Sequence, residues 1–206
     1  HGYDVYAGAL GAYTSPNWGS ASANTSGPTT GMQAKVDYVR GLMSAYGVSG
    51  KFVANNESAV GLFAASSDAT YESTKAYYVA EVYAGAAAEH LLANIWYSLD
   101  DDWHHQALLN ADYTPRPAYY AYQVSAQELA YARYVGPLTG FAGVKGYVFD
   151  VRGHALWVLW SQDAANHALS LPGTPAAIRT VYGASVAVNG NQLSAGPEPR
   201  YVEWAP

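Results

Sequence analysis

The order of patterns along the first 134 residues constrains the fold most. Short apolar runs alternate with polar loops and with helical stripes, about three times over. Strand, loop and helix repeated in this order predict parallel strands joined by right-handed crossovers. The predicted helices begin near Met32, at Asp68 as a cap and at Pro117 as a first-turn proline. The predicted strands lie within Lys51–Ser58 and Asn94–Leu99, after a short strand near the N-terminus and a long loop to about residue 30.

After Tyr134 the pattern changes to that of antiparallel hairpins. Gly146–Phe149 and Ala155–Trp160 flank a turn that contains Gly153, and Ala184–Val188 meets Gln192–Leu193 across an Asn-Gly turn. Asn-Gly between alternating residues is the strongest short-range hairpin signal. The chain is therefore predicted to be α/β followed by all-β, with one domain over residues 1–134 and a second over 135–206.

Composition limits the partners. Only 13% of the 206 residues are charged and the net charge is -6, so no basic surface is expected for nucleic acid or for an anionic membrane. The absence of cysteine excludes disulfides and thiolate chemistry. By contrast, 19 tyrosines and six tryptophans favour surfaces that pack on sugar rings, although most of these rings are expected in the core.

Glu57 is the best catalytic candidate, because it follows a short apolar run where (β/α) architectures place their chemistry. Asp100, Asp101 and Asp102 follow the next predicted strand, so their loop and that of Glu57 are expected to face one another. Paired carboxylates suit the hydrolysis of glycosides. A solvated loop charge is the alternative for Glu57. A solvated cluster or a cation site is the alternative for the aspartates, although the alternating spacing of a calcium loop is absent.

Other chemistries have weaker support. His1, together with His104 and His105, could supply nitrogen ligands for copper, as in lytic polysaccharide monooxygenases, but that likeness rests on His1-Gly2-Tyr3 alone. No Gly-x-Ser-x-Gly elbow, dinucleotide fingerprint or phosphate loop occurs, so serine-hydrolase chemistry and nucleotide cofactors are not predicted. We therefore predict no cofactor and no metal.

The order of several motifs resembles a known family. Residues 52–57 (FVANNE), 77–85 (YYVAEVYAG), 94–99 (NIWYSL), 107–109 and 114–119 (TPRPAY) look like the C-terminal part of a retaining glycoside hydrolase of the large (β/α)8 clan of β-glycosidases. Many bacterial members also resemble this chain in carrying a small β-sandwich after the barrel. The resemblance implies a partial (β/α) barrel of about three units plus a small antiparallel β-sandwich, and a carbohydrate substrate.

The resemblance also implies site residues. Glu57 would be the nucleophile on the seventh barrel strand, with Asn56 beside it, and Trp96 would be the aromatic floor of the sugar subsite on the eighth. His1 and Tyr3 would be the His-x-Tyr of the sixth strand. The remaining substrate-binding residues would be Tyr97, Asp101 and Trp103.

One part of the family pattern is missing. The acid/base glutamate follows an asparagine on the fourth strand, and this sequence resembles the family only from about the sixth strand onward. We therefore expect a homo-oligomer or a partner chain to complete the barrel. The alternative is a non-catalytic, carbohydrate-binding or self-assembling structural protein derived from a glycosidase. An extracellular or cell-surface location is expected from the resemblance.

Overall fold

A computed structural model describes residues 4–5, 31–100, 103–163 and 165–206. The parallel strands are short: β1 (Asp4–Val5), β2 (Asn55–Ser58), β3 (Val60–Gly61) and β4 (Asn94–Trp96). β1 pairs in parallel with β3, and β2 pairs in parallel with β4. Only Ala59 separates β2 from β3, so these two segments follow one another in a single strand position. β1 lies on one side of that position and β4 on the other.

Three helices connect and follow these strands: α1 (Gly31–Ala45), α2 (Ala69–Ala88) and α3 (Pro117–Glu128). The predicted starts are confirmed. Asp68 caps α2 by accepting a hydrogen bond from the Tyr71 N–H at 2.8 Å, and Pro117 occupies the first turn of α3. Gly47 follows α1 with φ 66°, a left-handed conformation that glycine adopts without steric cost.

The predicted strand bounds are too long. Phe52 is 74% exposed, and the strand begins only at Asn55, where the backbone N–H bonds the Ala93 carbonyl at 2.9 Å. β4 ends at Trp96, because the carbonyls of Ser98 and Leu99 accept the Leu108 N–H and so leave the ladder. An apolar run therefore marks the approach to each strand rather than its limits.

The second half of the chain is antiparallel. A five-stranded sheet has the order β5-β6-β7-β11-β9, and β8 pairs with β10 in a separate two-stranded sheet. The seven strands are β5 (Ala132–Pro137), β6 (Val144–Val151), β7 (His154–Ser161), β8 (His167–Ser170), β9 (Ala177–Thr180), β10 (Gln192–Ala195) and β11 (Arg200–Glu203).

One of the two predicted hairpins is confirmed. β6 and β7 are joined through a turn in which the Gly153 N–H bonds Asp150 Oδ1 at 2.8 Å. The hairpin predicted across Asn189-Gly190-Asn191 is wrong, because β10 pairs with β8 and only an isolated bridge, Asn189 to Gln192, spans that turn. Burial of Leu193 opposite Leu169 decides the pairing, so tertiary packing overrides the local turn signal.

The five-stranded sheet is buried on both faces. Along β7, Leu156, Val158 and Trp160 pack with α2 and α3, whereas Trp157 and Leu159 face the β8–β10 pair. Side chains alternate between the faces of a strand, so this division places the sheet between the helices and the two-stranded sheet. The continuous apolar run of β7 is the sequence signature of that double burial.

Polar contacts also join the helices to this sheet. Tyr201 of β11 is fully buried, and its hydroxyl lies 2.9 Å from Ser125 Oγ of α3. Because Ser125 donates to the Ala121 carbonyl, Tyr201 is the donor in this bond. In α1, Gln33 bonds the Tyr147 hydroxyl of β6 and accepts a hydrogen bond from Lys145 Nζ at 3.2 Å.

The division into domains at 134/135 stays a prediction, and β5 runs across that boundary from Ala132 to Pro137. The predicted loop to about residue 30 lies outside the described residues. Within the described part of the chain, no helix combines the length and the apolar character that crossing a bilayer requires.

Stability is expected to fall above about pH 10. Burial raises the pKa of Tyr83, Tyr147 and Tyr201, so these phenols stay neutral in the folded chain where those of the unfolded chain ionise. The unfolded state then binds fewer protons, and each tyrosine lowers the free energy of unfolding by about 1.4 kcal/mol per pH unit. Burial lowers the pKa of Lys145 from its ordinary value of 10.5, so this lysine opposes the trend only until its counterpart in the unfolded chain has also lost its proton. Urea midpoints measured from pH 8 to 11 report the slope.

Tyr201→Phe provides the control for this prediction. The variant is expected to be less stable than the parent at pH 8, because Ser125 loses a hydrogen bond, but to lose stability less steeply above pH 10. Equal slopes for the two proteins, or a urea midpoint that stays constant up to pH 11, would contradict the assignment.

Candidate functional site

Glu57 lies inside β2 rather than in the loop after it, one residue before the end of the strand. Its side chain is half-buried. The preceding Asn55 fixes this part of the strand, because its Nδ2 donates to Asn94 Oδ1 on β4 at 2.8 Å and its Oδ1 lies 3.4 Å from the Glu57 N–H. Asn56 is exposed beside Glu57. The sequence thus places a carboxylate and an amide at the carboxyl end of β2.

The end of β4 lies next to the end of β2. The Tyr97 N–H donates to the Ser58 carbonyl at 2.9 Å, so Tyr97 leaves its strand at the edge where Glu57 lies. A short 3₁₀ helix, Trp103–His105, follows a few residues later. β2 and β4 are thus parallel neighbours. That the loop of Asp100, Asp101 and Asp102 faces Glu57 stays a prediction, because Asp101 and Asp102 lie outside the described residues.

Four rings form an aromatic cluster at this edge: Phe63, Tyr97, Trp103 and His104. The centroid of Trp103 lies 6.4 Å from that of Phe63 and 6.5 Å from that of Tyr97, both in edge-to-face geometry. His104 stacks on Phe63 at 3.8 Å. Phe63 is 57% exposed and Trp103 47%, so the cluster offers aromatic faces to a ligand.

Two buried side chains of α2 hold the loop that carries the cluster. The Tyr71 hydroxyl lies 2.8 Å from the Val60 carbonyl and 2.9 Å from that of His105. Lys75 Nζ donates to the carbonyls of His105 and Ala107 at 2.8 and 3.0 Å. Backbone carbonyls that would lack partners inside the protein are thereby satisfied. The loop is fixed from beneath by the helix.

Trp96 is not part of the exposed surface. It is 7% exposed, its indole Nε1 donates to the Gln106 carbonyl at 2.9 Å, and its ring packs edge-on against Tyr78 of α2. The prediction that Trp96 floors a sugar subsite is therefore corrected, because its faces are covered by the core. Tyr97, the next residue, reaches the surface instead.

Gln106 is a buried polar residue below the cluster. It is 1% exposed, and neither its amide nitrogen nor its amide oxygen has a hydrogen-bond partner among the described residues. A methyl group on Gly61 would lie 3.7 Å from its Oε1 and 3.5 Å from the His104 Cβ. These are ordinary van der Waals distances, so the loop and this amide pack against the strand at Gly61 without requiring glycine there.

Three predicted site residues, His1, Tyr3 and Asp101, lie outside the described residues. The alternative of a copper site depends on His1, so its key residue also lies outside the described residues. Of the other histidines, His105 Nε2 lies 3.0 Å from the Ala64 carbonyl and His104 stacks on a ring. Over residues 31–100, 103–163 and 165–206, no three His, Asp or Glu side chains are grouped as a metal site would require.

Sequence reasoning missed Phe63 and considered His104 only as a possible copper ligand. The signal for Phe63 was present, since a large apolar residue directly after a strand and before the capped helix is a candidate for an exposed surface at that edge. His104 gave no such signal. It has φ 53°, a left-handed conformation uncommon outside glycine, which sequence patterns do not report.

Comparison with known proteins identifies the fold. No family model matches the chain, and no curated protein matches it. A family 39 glycoside hydrolase from Bacteroides cellulosilyticus WH2 superimposes with a TM-score of 0.71 at 16% identity, over 98% of this chain and 43% of that one. A conserved exported protein from Bacteroides fragilis gives a TM-score of 0.58 at 8% identity, over 82% and 42%.

A third structure extends this likeness. The GH30 endoxylanase of Clostridium papyrosolvens C71 gives a TM-score of 0.54 at 12% identity, over 92% of this chain and 47% of that one. At these identities the likeness defines the fold, which is that of glycoside hydrolases. The chain spans less than half the length of each of these three structures.

Proposed function

We propose that this chain supplies the nucleophile half of a retaining β-glycosidase active site, with Glu57 as the nucleophile. The observation that carries the proposal is the position of Glu57 near the carboxyl end of β2, next to Ser58, whose carbonyl accepts the N–H of the cluster residue Tyr97. (β/α) barrels hold their catalytic residues at this edge. The glycoside-hydrolase fold over 98% of the chain supports the same assignment.

The chemistry follows from the roles of two carboxyl groups. The Glu57 carboxylate attacks the anomeric carbon while the glycosidic C–O bond breaks, and a carboxylic acid protonates the leaving oxygen. Water then hydrolyses the glycosyl ester and restores Glu57, with the second group now acting as base. In retaining enzymes the two carboxyl groups lie about 5 to 5.5 Å apart.

We place the acid/base group on another segment or chain. The described strands occupy three neighbouring positions, whereas a closed (β/α) barrel has eight. Beside β4, the side chains of Leu92, Ile95 and Leu99 are 65%, 55% and 55% exposed, as expected for a surface that further barrel units cover. In this proposal, the segment or partner chain that completes the partial barrel also supplies the second carboxylate.

The substrate we propose is a β-linked pyranoside. Its C–H faces can pack on Tyr97 and Trp103, and its hydroxyls can bond Asn56. His1, Tyr3 and Asp101 remain proposed substrate ligands. One structural neighbour is named as an endoxylanase, so β-xylosides are the first substrates to test. We also propose an extracellular location, which the exported neighbour from Bacteroides fragilis supports.

Covalent labelling tests the nucleophile without its acid partner. A 2,4-dinitrophenolate leaving group departs without protonation, so 2,4-dinitrophenyl 2-deoxy-2-fluoro-β-xyloside needs only a nucleophile. We expect intact-mass spectrometry to show one added fluoroglycosyl group, and peptide mapping to place it on Glu57. The corresponding β-glucoside tests the choice of sugar.

The same experiment decides between the proposal and its alternative. A chain that binds xylo-oligosaccharides but takes no label from either glycoside is a carbohydrate-binding remnant without catalysis. The exposed apolar residues beside β4 favour that alternative as much as they favour a partner, since an open strand edge also promotes self-association. Label on a carboxylate other than Glu57 would overturn the assignment.

A further inference from the structure

A polar cleft of about 300 Å³ lies between α2 and the connection from β10 to β11. Tyr77 of α2 forms one side, and Ser194, Glu198 and Arg200 form the other, with Asn166 at the rim. Tyr77 lies two residues beyond Lys75, and therefore about 200° further round the helix. Since Lys75 faces the loop with the aromatic cluster, the cleft opens on the opposite side of α2 from Glu57.

The connection that lines the cleft is rigid. The Gly196 carbonyl accepts the Ser161 N–H at 2.8 Å, which ties the connection to β7. Pro197 and Pro199 flank Glu198, and proline fixes the backbone φ. A methyl group on Gly196 would approach Asn166 Oδ1 to 2.5 Å, so the Asn166 amide lies directly against this glycine. The backbone that carries Glu198 and Arg200 is thus held in position before a ligand arrives.

The charges in the cleft compensate one another. Arg200 Nη1 lies 2.7 Å from Glu198 Oε1, and the two side chains are 19% and 22% exposed. An anionic ligand would meet the carboxylate and a cationic ligand the guanidinium. A neutral ligand with several hydroxyl groups suits such a pair, because a carboxylate accepts from hydroxyls and a guanidinium donates to them.

A site for a sugar also needs an apolar surface, which tyrosine rings supply here. Tyr77 lines the cleft, and Tyr182 lies close enough to interact with both Tyr77 and Glu198. Burial of Tyr182, and to a lesser degree the neighbouring Tyr77 and Glu198, raise its pKa to about 12, so its phenol remains a hydrogen-bond donor even above pH 10. Burial and Glu198 likewise raise the pKa of Tyr77. Tyrosine offers an apolar face together with a polar end, which is the combination that a pyranose ring presents in return.

We propose that this cleft is a second carbohydrate site, which binds a neutral pyranoside of one or two rings. Its volume lies at the lower end of the range for small-molecule pockets. Binding there requires no bond cleavage and does not involve Glu57. The cleft therefore holds a sugar chain against the sandwich side of the molecule, whether or not Glu57 acts on it.

Titration of the ¹⁵N-labelled chain with xylobiose and with cellobiose tests the site. We expect the amide resonances of Ser194, Gly196 and Arg200 to shift with at least one disaccharide. Tyr77→Ala and Asn166→Ala are each expected to weaken that binding by at least about fivefold. Asn166 is exposed on a loop, so its variant folds even where a change in α2 does not.

Two controls separate this site from the proposed active site. Tyr120→Ala removes an exposed tyrosine of α3 outside the cleft and is expected to leave the shifts unchanged. Glu57→Ala is expected to leave them unchanged as well. Disaccharide binding of unaltered affinity in both cleft variants, or shifts confined to Asn56, Tyr97 and Trp103, would overturn the proposal. Binding of inorganic phosphate or glucuronate in the cleft, with no response to neutral sugars, would overturn it too.

Discussion

Glu57→Ala is expected to lower the rate of fluoroglycosyl labelling, and of aryl β-xyloside hydrolysis by the completed site, by a factor on the order of 10⁴ to 10⁶. The loss is large because the carboxylate forms the covalent bond itself. Without it, the only remaining contributions are substrate binding and whatever acid catalysis the second group provides. Stopped-flow or steady-state release of 2,4-dinitrophenolate measures the change.

Azide distinguishes a nucleophile from any other essential carboxylate. The alanine leaves space next to the anomeric carbon, and azide entering from that face is expected to yield the α-glycosyl azide, the inverted product. Loss of an acid/base group would instead yield the β-azide, because azide would then attack the glycosyl-enzyme.

A matched control is Asp37→Asn, which removes an exposed carboxylate on α1. It is expected to keep the parent rate. Parent activity in Glu57→Ala, or β-azide as its product, would contradict the role of Glu57. Equal losses in both variants would contradict it as well.

Lys75→Met is expected to destabilise the chain by about 3 kcal/mol. The Lys75 side chain has no exposed surface, and its Nζ lies 3.0 Å from Glu72 Oε2. Methionine fills a similar volume but leaves the Ala107 carbonyl without this donor and Glu72 without one of its cations. Glu72 keeps its second cation, because Arg116 Nη1 lies 3.4 Å from Glu72 Oε1. The loss of stability is therefore expected near the lower end of the range for a broken buried ion pair. Urea unfolding monitored by tryptophan fluorescence gives the difference.

Lys51→Met is the control for that variant, because Lys51 is exposed in the loop before β2. It is expected to change stability by less than about 0.5 kcal/mol. Glu72→Gln is expected to cost less than Lys75→Met, since an amide oxygen still accepts from lysine. Equal urea midpoints for Lys75→Met and Lys51→Met would show that the loop does not depend on the lysine.

Local signals predicted the helices well and the strands poorly. Asp68 and Pro117 define helix starts through contacts within one turn, which a sequence displays directly. The limits of β2 depend on where Ala93 and Asn94 of a neighbouring strand come to lie, as does the pairing of β10 with β8. Such partners are distant in sequence, so an apolar run such as that before Asn55 does not define the ladder.

The candidate site divides in the same way. The position of Glu57 near the end of a parallel strand was predictable, because the order of strand and helix fixes which ends meet. That Trp96 lies in the core while Tyr97 reaches the surface was not predictable in this way. Which of two adjacent aromatics faces the core depends on α2, whose Tyr78 packs on Trp96. Phe63 and His104 join the cluster through a loop conformation that sequence alone did not indicate.

Burial of the five-stranded sheet on both faces has a consequence for how this architecture can be inherited. The sheet is the middle layer of three, with Tyr201 bonded into α3 on one side and Leu159 packed towards the β8–β10 pair on the other. A recombination event that separated it from the helices would uncover an apolar surface on both fragments. The helices and the trailing strands therefore form a single heritable unit, and exchange of modules between related genes is compatible with folding only where it leaves that middle layer intact.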